Sequence, residues 1–184
     1  MQPRIPRQSA EELPEQDIHR ADGDAGLSAE LAAVVTGARR RAVRDGDRQI
    51  DTAHLLHSLL ESDAEVGAVF GEDPRIARLL GYLVQRSIGY GLRWQSAVED
   101  SGGVPAVPET AGFSPLAARC MAHARERAAR RGRGPARGTD LLAAIVVDPQ
   151  ARAVEVLLRA GIDPCELSDR LETRAAARPG ESSR

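Results

Sequence analysis

Phe113-Ser114-Pro115 opens a stretch that passes through Arg130-Arg131-Gly132 and Gly138-Thr139-Asp140-Leu141-Leu142 and ends at Asp163-Pro164. An earlier part of the chain repeats it. Leu27-Ser28 leads through an alanine-rich run to Asp45-Gly46 and then to Thr52-Ala53-His54-Leu55-Leu56. Ser28 and Ser114, Ala38 and Ala124, Gly46 and Gly132, and Leu55 and Leu141 are each 86 positions apart. A constant spacing over that length marks an internal repeat, so the two copies are read together.

Each copy predicts four helices. In the first, Ser28 caps a helix with Leu31, Val34, Val35, Ala38 and Ala42 on one face, and Gly46 ends it. Asp51 or Thr52 caps a second helix through Leu55, Leu56, Leu59 and Leu60; a short third covers Glu65 to Phe70, and Asp73-Pro74 starts a fourth. In the second copy Ser114-Pro115 opens the first helix, whose inward residues are Ala117, Cys120, Met121, Ala124 and Ala128. Asp148-Pro149 and Asp163-Pro164 open the third and fourth. The first copy is about five residues shorter before Asp73-Pro74, which predicts a third helix shorter by more than one turn.

The expected architecture is all-α: two four-helix repeats, residues 27–98 and 113–172, related by a pseudo-twofold and forming one eight-helix domain. Residues 1–26 hold six acids and three arginines with little periodicity and read as a disordered acidic arm. Residues 99–112, with Gly102, Gly103, Pro105 and Pro108, read as a flexible linker, and 173–184 as a disordered tail. Tyr82, Tyr90 and Trp94, three of five aromatic residues, either close the groove between repeats or grip a partner.

Composition removes several functions. All 25 basic residues are arginine, and without lysine there is no Walker-type phosphate loop, pyridoxal Schiff base or protein-kinase fold. A net charge of −2 argues against a dedicated nucleic-acid binder. Cys120 and Cys165 stand in unrelated contexts, and residues before Leu27 are too polar for a signal peptide, so reduced thiols in the cytoplasm are expected. The longest apolar run, Leu141 to Val147, has seven residues against the about 20 that cross a bilayer, so no membrane partner is expected.

With both copies laid out, the chain resembles the double-repeat N-terminal domain of Clp ATPases of the ClpA and ClpC type. The residues that carry the resemblance are Phe113-Ser114-Pro115, Arg130-Arg131-Gly132, Gly138-Thr139-Asp140-Leu141-Leu142, Thr52-Ala53-His54-Leu55-Leu56 and Ala160-Gly161-Ile162-Asp163. The resemblance implies a non-enzymatic module, without cofactor, that binds substrates or adaptors of a Clp unfoldase and protease. Lacking the nucleotide-binding modules, the chain is expected to be a stand-alone N-domain acting as adaptor, decoy or sequestering protein. In relatives a Glu in each repeat helps hold the guanidinium of phosphoarginine; here Ala53 and Thr139 stand there, which implies weak or absent recognition of that mark. Asp140 is one residue away. The aromatic that opens each repeat lies where relatives bind cyclic peptides; Phe113 keeps it and Leu27 does not. Candidate binding residues are therefore Leu27, Ser28, Phe113, Ser114, Arg137, Thr139, Asp140, Tyr90 and Trp94.

Arg125, Arg127, Arg130, Arg131, Arg133 and Arg137 crowd thirteen residues, relieved only by Glu126. They form a solvated helix end or a docking patch for an acidic partner; the alternative function is nucleic-acid or phosphate-ligand binding through this stretch. His54 and His57 lie three apart on one helix, but no ligand set joins them, so no metal is expected. No nucleophile-elbow or paired-carboxylate motif suggests catalysis.

Overall fold

The computed structural model describes residues 26–87, 99, 112–132 and 134–177. Among these residues the chain is all-helical, with α1 (Ala29–Asp45), α2 (Thr52–Ser62), α3 (Ala64–Phe70) and α4 (Arg75–Ser87) in the first copy. The second copy supplies α5 (Pro115–Arg130), α6 (Gly138–Val146), α7 (Arg152–Ala160) and α8 (Pro164–Ala176).

The helix ends follow from local chemistry. Ser28 and Ser114 accept from the amides of Leu31 and Ala117 at 3.2 and 3.1 Å, and Gly46 leaves α1 in the left-handed region at φ 75°. Asp51, Asp63 and Asp163 cap α2, α3 and α8. The last of these helices runs past Thr173 to Ala176, further than the composition of the tail implies.

One start differs from the expectation. Asp148-Pro149 does not open a helix: Asp148 accepts from Gln150 N at 2.9 Å and pairs with Arg119, and α7 begins at Arg152. The extra residues of the second copy make this turn. The third helices therefore have 7 and 9 residues, differing by about half a turn rather than more than one.

The two copies interlock. Leu27 pairs with Ala136, and Ile50 with Phe113, as two short parallel bridges related by the same 86-position shift. Thus the residues that lead into α1 are fastened beside the start of α6, and those that lead into α5 beside the start of α2. The third helices also cross over: α3 packs on α6 and α8, while α7 packs on α2 and α4. At the centre lie α2 and α6, with every residue from Thr52 to Leu59 and from Asp140 to Val146 buried. A helix buried on all sides needs neighbours on all sides, and here they come from both copies.

Gly138, at the start of α6, is where this interlocking is tightest. A Cβ there would lie 2.0 Å from Asp63 Oδ2 and 2.9 Å from Leu59 Cδ2. Asp63 cannot swing aside, because its other oxygen holds the amides of Glu65 and Val66 at 2.9 and 3.0 Å. Gly138→Ala is expected to destabilise the fold by about 2 kcal/mol, through loss of a cap and overpacking. Gly67→Ala, with open space around its Cβ, should instead gain about 0.5–1 kcal/mol from helix propensity. Urea midpoints at unchanged slope would check both.

Candidate functional site

The crossed bridges divide the candidate residues into two sets. Leu27 and Ser28 lie beside Ala136, and so next to Arg137, Thr139 and Asp140; the amides of Ser28 and Ala136 donate to Ala136 O and Gly26 O, both at 2.8 Å. Phe113 and Ser114 lie instead beside Ile50 and Asp51, where Ser114 N donates to Ile50 O at 2.8 Å. Leu27 and Phe113 are partly buried against the core rather than freely displayed. Tyr90 and Trp94 are outside the described residues; Tyr82 packs against the core.

At the junction of Ser114 with α2, a buried carboxylate organises the surroundings. Glu99 accepts from Thr52 N at 2.9 Å, Thr52 Oγ1 at 2.5 Å, Ser114 Oγ at 2.8 Å and Arg152 N at 2.8 Å. It occupies the N-termini of α2 and α7 together, where unpaired amides and the helix dipole favour an anion. Thr52 Oγ1 accepts in turn from Ala153 N at 3.1 Å, and the Arg152 guanidinium binds Asp51 at 2.8 Å. These bonds explain why α7 needs no cap from Asp148. Burial first, and then Asp51, push the Glu99 carboxyl above the ordinary carboxylate value, against the pull of its hydrogen bonds. Nothing local in the sequence marks Glu99, because its partners lie 47, 15 and 53 positions away.

The other junction carries an open groove of about 450 Å³ between α3, the end of α5, the start of α6 and the end of α8. Its polar lining includes Arg127, Arg131, Arg137, Arg174, Glu65 and Asp140; Thr139 faces it too, over a floor that includes Ala64, Ala68, Val69 and Leu171. Asp140 is turned inward. It accepts from Arg137 N at 3.2 Å and lies 3.5 Å from Arg127 Nε. The equivalent His54 does the same for α2, accepting from Asp51 N through Nδ1 at 3.1 Å, so the two residues share a structural task. Arg127 and Arg131 both bind Glu172, the latter at 2.6 Å. Although its partial burial acts the other way, these guanidiniums hold the Glu172 carboxyl below its ordinary value. The arginine-rich stretch is thus laced with acids rather than bare.

Ala53, at one of the two positions matching the phosphoarginine glutamates, is fully buried; Thr139, at the other, is partly exposed. His54 and His57 do not converge: His57 Nε2 meets Glu61 at 2.9 Å, whereas His54 Nε2 faces Asp47 at 3.2 Å. Asp47, Asp51 and His54 cluster closely, but Nδ1 already uses its lone pair on the Asp51 amide. Nε2 then carries the proton and has no lone pair for a cation. Burial pushes the Cys120 thiol up to about 12, making it a core residue.

No protein-family model matches the sequence, nor does any curated protein. Solved structures do. The N-terminal domain of the caseinolytic-protease-associated chaperone ClpD from Arabidopsis thaliana superposes with a TM-score of 0.55 at 20% identity, over 82% of this chain and 95% of that one. The chain has the Clp N-domain fold. A structure from work on a malarial protein secretion system gives a TM-score of 0.58 at 15% identity, with the same coverage. On this fold the chain carries the Glu99 knot at one junction and the arginine-lined groove at the other. No helix among the described residues is long and apolar enough to cross a membrane.

Glu99 gives a pH-dependent prediction. With a folded-state pKa above the unfolded one, its contribution to stability is full below the ordinary carboxylate pKa and falls as pH rises through the raised value. Glu99→Gln abolishes this titration and should flatten stability across that window. Its amide also turns N–H groups toward donors that need an acceptor, lowering stability by about 1–3 kcal/mol. Urea unfolding of both proteins over a pH series measures the two effects; an unchanged slope would assign the titration to another group.

Proposed function

We propose that the chain is a protein-binding module that docks substrates, adaptors or peptide ligands of a Clp unfoldase or protease and modulates their delivery, as adaptor, decoy or sequestering protein. The observation that carries this reading is the groove at the α3–α6–α8 junction, an open concave surface on a Clp N-type fold, lined by residues from both copies. Mixed polar rims around apolar floors suit the recognition of peptide segments. The alternative, nucleic acid or phosphate on the Arg125–Arg137 stretch, is less favoured by the acids that pair with Arg127, Arg131 and Arg137.

A photo-crosslinker at Thr139, inside the groove, is expected to capture Clp components or Clp substrates from the native host. The same group at Leu158, exposed and outside the groove lining, should not. Identical captures at the two positions would remove the groove from the reading.

We also propose that phosphoarginine is not a ligand. The buried Ala53 and the neutral Thr139 offer no carboxylate at the matching positions, and Asp140 and Asp51 are engaged with Arg137 N and Arg152. Titration of free phosphoarginine into the protein should give no saturable heat in calorimetry; tight binding would overturn the reading.

A further inference from the structure

The groove's side chains point to the chemistry of its ligand. Four arginines line it from three sides: Arg127 and Arg131 at the end of α5, Arg137 ahead of α6 and Arg174 on α8. Three of them already bind carboxylates. Glu172 holds Arg127 and Arg131 with its side chain 53% exposed, and Glu65 meets Arg137 at 3.4 Å with its side chain 40% exposed. Arg127 and Arg131 are themselves only 20% and 24% exposed, but both carboxylate partners lie at the surface, where water screens a pair, so an incoming carboxylate can take the place of Glu172 or Glu65. Arg174 is exposed and makes no ion pair within the described residues. Asp140, in contrast, is buried and committed to the start of α6.

The floor argues for a peptide over a nucleic acid. Single-stranded nucleic acids stack their bases on aromatic rings, and among the described residues no aromatic ring lines this groove; Ala64, Ala68, Val69 and Ala175 do. Small aliphatic residues leave room for an extended backbone and for small apolar side chains lying between the guanidiniums.

We propose that the groove binds an acidic peptide segment of a partner protein, whose carboxylates pair with Arg174, Arg131 and Arg137 while alternate small side chains lie over Ala68 and Val69. This rests on the protein-binding reading above and names the ligand class of the same site.

The test uses the full chain and a fluorescein-labelled decapeptide of alternating Glu and Ala, followed by polarisation at low and at raised salt. Saturable binding that weakens with salt is expected, as is a loss of about tenfold or more in Arg174→Glu, whose exposed side chain is not needed for folding. Ala68→Trp, which fills the floor, should weaken binding comparably. Absence of binding at low salt, or equal affinity in both variants, would overturn the proposal. Preferential displacement of the peptide by a ten-nucleotide oligothymidylate would assign the groove to nucleic acid and overturn it too. Binding only after Glu11, Glu12, Glu15 and Asp17 are changed to Gln and Asn would make the chain's own N-terminal residues the occupant, again against a partner. If Thr139 crosslinks Clp components while the peptide fails to bind, the ligand chemistry falls and the docking reading stands.

Discussion

A single buried carboxylate, that of Glu99, ties together the starts of helices from both copies. It satisfies the first amides of α2 and α7, one from each copy, and the hydroxyl that caps α5. Buried helix ends without partners cost free energy for each open donor, and α7 has no side-chain cap of its own. Its start is therefore set by residues distant in sequence. The mate position solves the same problem locally: Asp63 caps α3 with its own side chain, and Gly138 leaves the space that this carboxylate needs. Two junctions related by symmetry thus use two different carboxylates, one from between the copies and one from within a copy.

How much of this was legible in the sequence depends on the range of the interactions. The 86-position shift, the Ser28 and Ser114 caps, the turn at Gly46 and the Asp163-Pro164 start are set by neighbours along the chain, and the structure has them where the pattern puts them. The start of α7 is different. Asp148-Pro149 carries the local signature of a helix start, yet it makes a turn, because Thr52 and Glu99 already hold the amides at Arg152 and Ala153. The exchange of α3 and α7 between the copies also escapes a local reading: a repeat predicts which helices resemble each other, not which pack together. Glu99, Thr52 and Arg152 form a cluster visible only after folding.

The placement of the candidate residues was legible in the same uneven way. Arg137, Thr139 and Asp140 do line one groove, and the Leu27–Ala136 bridge brings Leu27 and Ser28 beside them. Phe113 and Ser114 belong to the opposite junction, where Ser114 is buried against Glu99. Residues that the motif places at equivalent positions of one unit are thus distributed between two surfaces, because each copy's opening residues are fastened to the other copy.

The repeat also shows how two equivalent junctions come to differ in charge and closure. Shifting the groove residues back by 86 positions replaces Arg131 with Asp45, Arg137 with Asp51, Thr139 with Ala53 and Asp140 with His54. Two cations become anions while the helices keep their places. At the first junction the reversed charge draws in Arg152, which binds Asp51, and Glu99 completes a buried network above a fully buried Ala53. At the second, the guanidiniums are held by Glu172 and Glu65, carboxylates at the surface that water can reach. The repeat thus presents two copies of one scaffold, and a few charge differences at matching positions leave one closed by buried side chains and the other with its carboxylates at the surface.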